Sequence, residues 1–421
     1  MVAIAPFRAL RYSPQTVGDF GRVIAPPYDV ISPQQQDELY AASPYNVVRL
    51  ILGKEQPGDR EGADRYSRAR DTFQSWQQER VLRRDEASAV YLYEHSFVWL
   101  GQRFARLGFL ALLAFDGSEA QVLAHEATFD GPKADRSKLL ETVKAHLSPV
   151  FCIVPDADGR VDAWLQRARQ DHREEVDAEV PFQTAGGNGS AESVRVWKID
   201  DASAVDQLRQ LMQPTKVLIA DGHHRFGAAL SRRHLCPAVL AFFAPMSNPA
   251  LIVRPYHRML GTCTGLDRAI LETVFQMDAV ADAKALQDRL AAALGPGWFG
   301  LGGTSGLFLA RVKPPLLDAW FAKPSVPDAL ARLDVSILHQ LVLPSLASHD
   351  VGWGHVRYTP DIPHALQTVV AGQADWAVLT RAIPLPQIYA IASAGHVLPQ
   401  KSTYFYPKVL SGLLFNPFDE A

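Results

Sequence analysis

Val217-Leu218-Ile219-Ala220-Asp221-Gly222-His223-His224-Arg225-Phe226 is the stretch whose reading decides the fold. Val217 to Ala220 form a short apolar run that predicts a buried strand. Gly222 breaks it, and Arg225 to Arg233 has the pattern of a helix. Ala238 to Ala244 predicts a further buried strand. Strand, tight turn, helix and strand in that order are an α/β signature. Glycine at the turn allows a tight bend and the close approach of a ligand. The helix that follows presents free N–H groups and the positive end of its dipole. His223, His224 and Arg225 add donors at the same place, and the planar fork of arginine matches phosphate oxygens. Asp221, at the strand end, is a carboxylate of the kind that holds Mg²⁺ between phosphates. These parts favour a polyphosphate ligand. The same residues also suit a plain helix cap paired with surface carboxylates, and that alternative stays open. A transition-metal site is disfavoured, because adjacent histidines diverge on a helix and the HExxH spacing is absent.

Upstream, Val2 to Arg11 predicts a strand leading into a turn. Ala25-Pro26-Pro27-Tyr28-Asp29-Val30-Ile31 is a loop stiffened by two prolines. Ser32-Pro33 opens a helix to about Ala42, with serine as cap. Asn46 to Leu52 is an apolar, β-rich run. Arg60 to Glu79 has helical spacing, with Tyr66, Ala69, Phe73 and Trp76 on one face. Ala89 to Trp99 and Arg103 to Phe115 predict a hairpin around Gly101. Ser137 to Ala145 and Val161 to Glu174 read as helices and Pro149 to Val154 as a buried strand. Ala185 to Ser190 is the best candidate for a flexible loop. Val194 to Ile199 is a strand, and a helix runs from Asp200 to Met212. Downstream, Leu266 to Leu294 is expected to be mostly helical, and Asp334 to Leu346 a helix. Gly306 to Val312, Val356 to Tyr358 and Trp376 to Leu379 are expected strands. No internal repeat is present.

The chain has 421 residues, with 42 basic and 45 acidic side chains. That near balance argues against a broad nucleic-acid surface, which needs a basic excess, but leaves room for a local anion pocket. Cys152, Cys236 and Cys263 are the only cysteines. They are too few and too scattered for a disulfide framework or thiolate metal site. The first residues lack the pattern of a signal peptide, and no run approaches the length of a membrane span, so no membrane partner and a cytoplasmic location are expected. No GxxxxGK[ST], GxGxxG or GxSxG motif occurs.

Further groups are candidates for the same pocket. In the run from His125 to Arg136, Lys133 and Arg136 can hold phosphates, and Glu126 or Asp135 a metal or a substrate amine; a solvated loop is the alternative. Lys401-Ser402-Thr403-Tyr404-Phe405-Tyr406-Pro407-Lys408 interleaves bases, hydroxyls and aromatics. Lys401 and Lys408 there suit an anion beside a planar base, and the stretch equally suits a C-terminal docking strand. Asp29 sits on the stiff proline loop as a general base for a hydroxyl, or as an Asx-turn residue before the helix.

Six separated segments occur together. They are Pro6 to Arg11, Ala25 to Ser32, Gly131-Pro132-Lys133 with Asp135-Arg136, Ala220 to Arg225, Leu333-Asp334-Val335, and Lys401 to Lys408 followed by Ser411-Gly412-Leu413. In this order they resemble the bacterial and archaeal domain-of-unknown-function family numbered one thousand and fifteen. That family looks like a distant branch of the ParB/sulfiredoxin superfamily, which includes free-serine kinases. The resemblance implies an α/β (α+β) fold with a ParB/sulfiredoxin-like core, a large insertion and a C-terminal extension. The expected division is 1–55 with 190–260 as nucleotide-binding core, 56–189 as insertion, and 261–421 as C-terminal region. It further implies phosphate binding by Gly222, His224 and Arg225, with His223 alongside. ATP or ADP would be the cofactor, with Mg²⁺, and a serine-like small molecule the phosphoryl acceptor. Asp29, Asp221 and His223 are the expected catalytic residues. Lys133, Arg136, Lys401 and Lys408 assist binding, and Asp221 and Glu126 hold the metal. A homodimer is compatible with this reading. The rivals are a non-catalytic nucleotide-binding regulator and a phosphatase or nucleotidase using the same turn. The chain departs from the family pattern at Phe226-Gly227, where tyrosine and glutamate are usual. It departs again at Gly395-His396-Val397-Leu398-Pro399, where a Gly-Glu-x-Met-Pro run is usual. Both departures remove a carboxylate.

Overall fold

The computed structural model describes residues 1–117, 119–126, 130–172, 174–180, 192–261, 265–323, 326–347 and 356–418. The expected flexible loop at Ala185–Ser190 and Cys263 lie outside them. The fold class is α/β, as expected. The chain forms two compact units: Met1–Ala124, Thr128–Ile252 and Pro407–Ala421 make the first, and His125–Ala127 with Val253–Tyr406 the second.

The first unit is built on a mixed nine-stranded sheet. Its strand order is Val122–Leu123, Val217–Asp221, Val150–Val154, Ala238–Pro245, Gln102–Ala114, Val90–Trp99, Glu192–Ile199 and Glu174–Val180, with Ile4–Ala5 pairing on Gln102–Ala114. Val217–Asp221 runs antiparallel to Val150–Val154, which runs parallel to Ala238–Pro245. Every residue of these three strands is buried. That is why they read as continuous apolar runs rather than alternating ones. Val239, Ala241 and Phe243 enter one core with Phe109, Val150, Trp164 and Ile219. The expected hairpin is present, and Leu100 and Gly101 turn it with positive φ of 48° and 78°. Residues 56–189, expected as an insertion, supply central strands to this same sheet, because the hairpin's β pairing joins them to the core. The tail from Pro407 onward also belongs here: Ser411 pairs with Ala25 and Phe415 with Leu10.

The second unit is an antiparallel six-stranded sheet in the order Phe275–Val280, Gly306–Val312, Trp298–Gly303, Trp376–Leu379, His257–Leu260, Val356–Thr359. Its strands alternate faces: Trp376 and Val378 join one core, Ala377 and Leu379 the other.

Four local expectations are corrected. Asn46–Leu52 is a helical turn, Val48–Ile51, not a strand. The Asn46 side chain accepts from Val48 N at 2.9 Å and donates to the carbonyls of Arg22 and Ile24, and these local bonds outweigh β propensity. Gly131-Pro132-Lys133 is not a loop but the start of the helix Asp130–Val143, where a proline costs no hydrogen bond. Leu266–Leu294 contains the strand Phe275–Val280, whose backbone pairs with Gly306–Val312 while Phe275 and Met277 pack on one face. The helix after Gly222 begins two residues early, at His223. The helix starting at Asp334 is continuous, with a π-turn at Leu338–Val342 just before Pro344, which offers no N–H to the ladder.

Candidate functional site

The strand Val217–Asp221 delivers the chain to Gly222, which adopts φ 90° and ψ 28°. An added Cβ there would stand 3.0 Å from the Arg225 guanidinium, so both the backbone and the neighbour require glycine. The helix His223–Ser231 follows, and its first intrahelical bond runs from Phe226 N to Gly222 O. His223, His224 and Arg225 thus form the first turn of the helix, ahead of its hydrogen-bond ladder. His223 and His224 are both half-buried in this first turn.

Asp221 is buried beneath the turn. Its Oδ2 accepts from Arg225 Nη2 at 2.6 Å, and its Oδ1 from Lys408 Nζ. Burial works to raise this carboxyl, but Lys408 and Arg225, with His223 behind them, outweigh it and hold it at about 2. Arg225 also donates through Nη1 to the carbonyl of Pro149. Its side chain is only 11% exposed. The expected division of labour is thus changed. Arg225 and Lys408 are spent on Asp221 inside the protein, where the low dielectric rewards a close ion pair. Both Asp221 oxygens are thus engaged by cations of the chain. Through Asp221, these two cations brace the turn.

Lys133 is different. It lies on the helix Asp130–Val143, and its Cδ and Cε run 3.5–3.7 Å from where a Cβ would stand on Gly227, one turn beyond the helix start. It makes no ion pair or hydrogen bond with the described residues. Arg136, one turn further on, is buried. It donates to Ile51 O at 2.9 Å and to Asp135 Oδ2 at 2.6 Å, and it stacks on the Tyr28 ring at 3.8 Å. Asp135 accepts also from Arg65 and Tyr66. Burial pushes Tyr28 up to about 12 although Arg136 and Arg225 oppose it, so its phenol stays protonated. Asp29 follows Tyr28 in the same short helical turn, exposed. It does not cap the next helix; Ser32 does, accepting from Gln35 N.

Glu126 and Lys401 belong to the second unit. Glu126 Oε1 accepts from Ser402 N at 3.1 Å and Thr403 N at 3.4 Å, so it anchors a loop. Lys401 has a positive φ of 55°, and its ammonium lies over the Tyr256 ring at 5.1 Å. Among the described residues, no group of three or more His, Cys, Asp or Glu side chains could hold a metal ion. Both oxygens of Asp221 face cations of the chain, and Glu126 Oε1 accepts from backbone N–H groups.

Arg106 was not anticipated. It is fully buried, with its guanidinium over Phe151 and Phe242, and donates to Pro407 O at 2.6 Å. That bond fixes the tail one residue before Lys408. A charge at the head of the apolar run Leu107–Leu113 was the signal available in the sequence. No helix among the described residues is long and apolar enough to cross a membrane.

Strand, αL glycine and helix start make this site a strand–turn–helix junction of the α/β kind, with Lys133 beside it. The chain belongs to the family described as a protein of unknown function, DUF1015, whose model matches residues 4–336. Among solved structures, it is similar to a free serine kinase mutant in complex with AMP, at 11% identity and a TM-score of 0.36, over 68% of this chain and 84% of that one. A C-terminally truncated SbnI from Staphylococcus aureus matches at 10% identity and a TM-score of 0.37, over 72% and 86%. A conserved hypothetical protein from Pyrococcus furiosus matches at 12% and 0.34, over 69% and 89%. No curated protein matches the chain at a significant level.

Proposed function

We propose that the turn Gly222–Arg225 binds the phosphates of ATP or ADP and that the protein transfers a phosphoryl group to a small, serine-like hydroxyl compound. The observation that carries this reading is Lys133, a cation without a carboxylate partner among the described residues, laid along the helix that starts after Gly222. Phosphate oxygens would accept from the N–H groups of His223 and His224, and Lys133 would neutralise them. Arg225 and Lys408, bound to Asp221, act on the ligand only through the shape and charge of the turn. Asp29 would accept the proton of the acceptor hydroxyl as its oxygen bonds to phosphorus and the bond to the nucleotide breaks. Such catalysis is chiefly positioning and electrostatics. Because both Asp221 oxygens already face cations, Mg²⁺ would be held chiefly by phosphate oxygens.

That same saturation of Asp221 favours a second reading, a nucleotide-binding regulator without turnover. The two separate by experiment. Wild type and Lys133→Met are titrated with ATP, ADP and AMP by calorimetry, with and without Mg²⁺, and product is followed by phosphorus NMR with serine present. Binding that weakens about tenfold in Lys133→Met, the loss expected for one charge-assisted contact, together with phosphoserine, supports the kinase. Binding without product from any hydroxyl acceptor supports the regulator, and phosphate release without an acceptor supports a phosphatase. If no nucleotide binds, the turn is a structural cap.

A further inference from the structure

Among the described residues, His146 Nε2 and Arg225 Nε are buried without a hydrogen-bond partner, and both residues line one cleft close to this turn. The cleft holds about 50 Å³. Its floor is apolar, with Ile51, Leu139, Leu147 and Val239, while Tyr28 and Arg136 complete its polar side. Burial holds the His146 imidazole down at about 3, so the ring is neutral and carries one proton. Asn416 presents its amide Nδ2 to His146 Nδ1 at 3.0 Å. Nδ1 therefore accepts, and the proton sits on Nε2 as a donor. Arg225 Nε is a second donor, since only its terminal nitrogens are engaged.

Buried N–H groups are almost always paired, and two unpaired ones on a single cleft call for an acceptor. The charges agree. Asp221 is shared by Arg225 and Lys408, and Asp135 by Arg65 and Arg136, so each carboxylate faces two cations. Glu55 approaches only Arg65, at 3.5 Å and on its exposed side. Each triad keeps an excess positive charge beside the cleft. A phosphate has more acceptor sites than two N–H donors can satisfy and would meet the apolar floor badly. A carboxylate on a short aliphatic stem fits both the donors and the floor.

We propose that this cleft binds a small carboxylate, that of the phosphoryl acceptor. The acceptor's identity rests on the phosphoryl-transfer reading; the carboxylate site does not. The test uses the full chain and two probes, acetate and L-serine, without nucleotide. Binding is measured by calorimetry, and the His146 ring proton and nitrogen resonances are followed by NMR. Both probes are expected to shift the Nε2–H resonance. His146→Phe, which keeps the ring volume but loses the donor, should weaken serine binding about tenfold, and His146→Gln, which restores an N–H, should recover part of that loss. ADP affinity should be equal in all three proteins. Serine affinity unchanged in His146→Phe, or a His146 resonance unmoved by saturating serine in the wild type, overturns the site; the second measurement stands even where a variant fails to fold. A crystal structure at saturating serine with only water between the two nitrogens overturns it as well. If serine moves His146 while no nucleotide binds, the cleft stands and phosphoryl transfer falls; if nucleotide binds and serine leaves His146 unmoved, the cleft alone falls.

Discussion

Lys408→Met removes one of the two cations on Asp221 while keeping most of the side chain's length. Asp221 then stays buried with Arg225 alone. Breaking a buried ion pair on one side costs about 3–5 kcal/mol, and because Arg225 remains, the low end, about 3 kcal/mol, is expected. For a domain of this size, that lowers the melting temperature by roughly 6–12 °C. The pH dependence adds a sharper test. The Asp221 carboxyl is depressed from 3.8 to about 2 in the folded protein. Its contribution, about 2 kcal/mol, is therefore fully present above pH 3.8 and is lost as the pH falls through 2. In Lys408→Met, burial is opposed by Arg225 alone, the depression is smaller, and less stability remains to be lost. The melting-temperature gap between wild type and variant should be widest above pH 4 and narrow towards pH 2. Comparing the two proteins across pH cancels the other carboxylates, such as Asp135 and Asp64. Adding Asp221→Asn to the variant should recover part of the loss, since no buried carboxylate is left half-paired. The assay is thermal denaturation by circular dichroism from pH 2 to 7. A variant that melts within about 2 °C of wild type, or a gap that does not narrow in acid, would refute the buried triad as the brace of the turn.

Gly222→Ala forces a positive φ on an L residue and sets its Cβ 3.0 Å from Arg225, so it should cost about 1–3 kcal/mol in denaturant melts. Gly227→Ala, with ordinary contacts to the Lys133 stem, should instead gain about 0.5–1 kcal/mol; equal effects of the two would mean that Gly222 is not strained. Asp29→Asn should lower turnover at least about 100-fold with nucleotide affinity within about twofold by calorimetry, and full activity would remove Asp29 as the base. In the second unit, Asp334 accepts from Gly297 N and Arg381 Nε, both at 2.7 Å; Asp334→Ala should destabilise that unit by about 2 kcal/mol, read by chemical denaturation, and an unchanged midpoint would make the clamp energetically idle.

Where local chemistry decides the structure, the sequence was legible. Ser32-Pro33 caps its helix, the Leu100-Gly101 turn closes its hairpin, and the apolar runs at Val150 and Ala238 lie at the sheet centre. It misled where one side chain or a distant partner outvoted propensity. Asn46 converts a β-rich run into a helical turn, and pairing with Gly306–Val312 draws a strand from the alanine-rich stretch around Phe275. The site divides in the same way. Gly222 could be placed, because a glycine after a buried strand has few other uses. The bond between Lys408 and Asp221 could not, because the two are 187 residues apart and nothing local distinguishes Lys408 from Lys401, which falls in the other unit.

Gly227 shows how a departure from the family pattern changes meaning once its surroundings are known. Read alone, the missing glutamate is a lost metal ligand. In the fold, position 227 faces the Lys133 stem, so a glutamate there would stand within reach of the Lys133 ammonium. With glycine, Lys133 meets no carboxylate at this position, one turn from the helix start at His223. The loss of one acid is then a gain of attraction for an anion at the helix start. The same reasoning separates the two kinds of cation in this turn. Arg225 and Lys408 contribute a charge that is fixed, because Asp221 remains ionised down to about pH 2 and holds them inside. Lys133 contributes a charge that a ligand can meet directly. Residue type alone could not make that distinction, since all three read as phosphate binders in the sequence; burial and partnering make it.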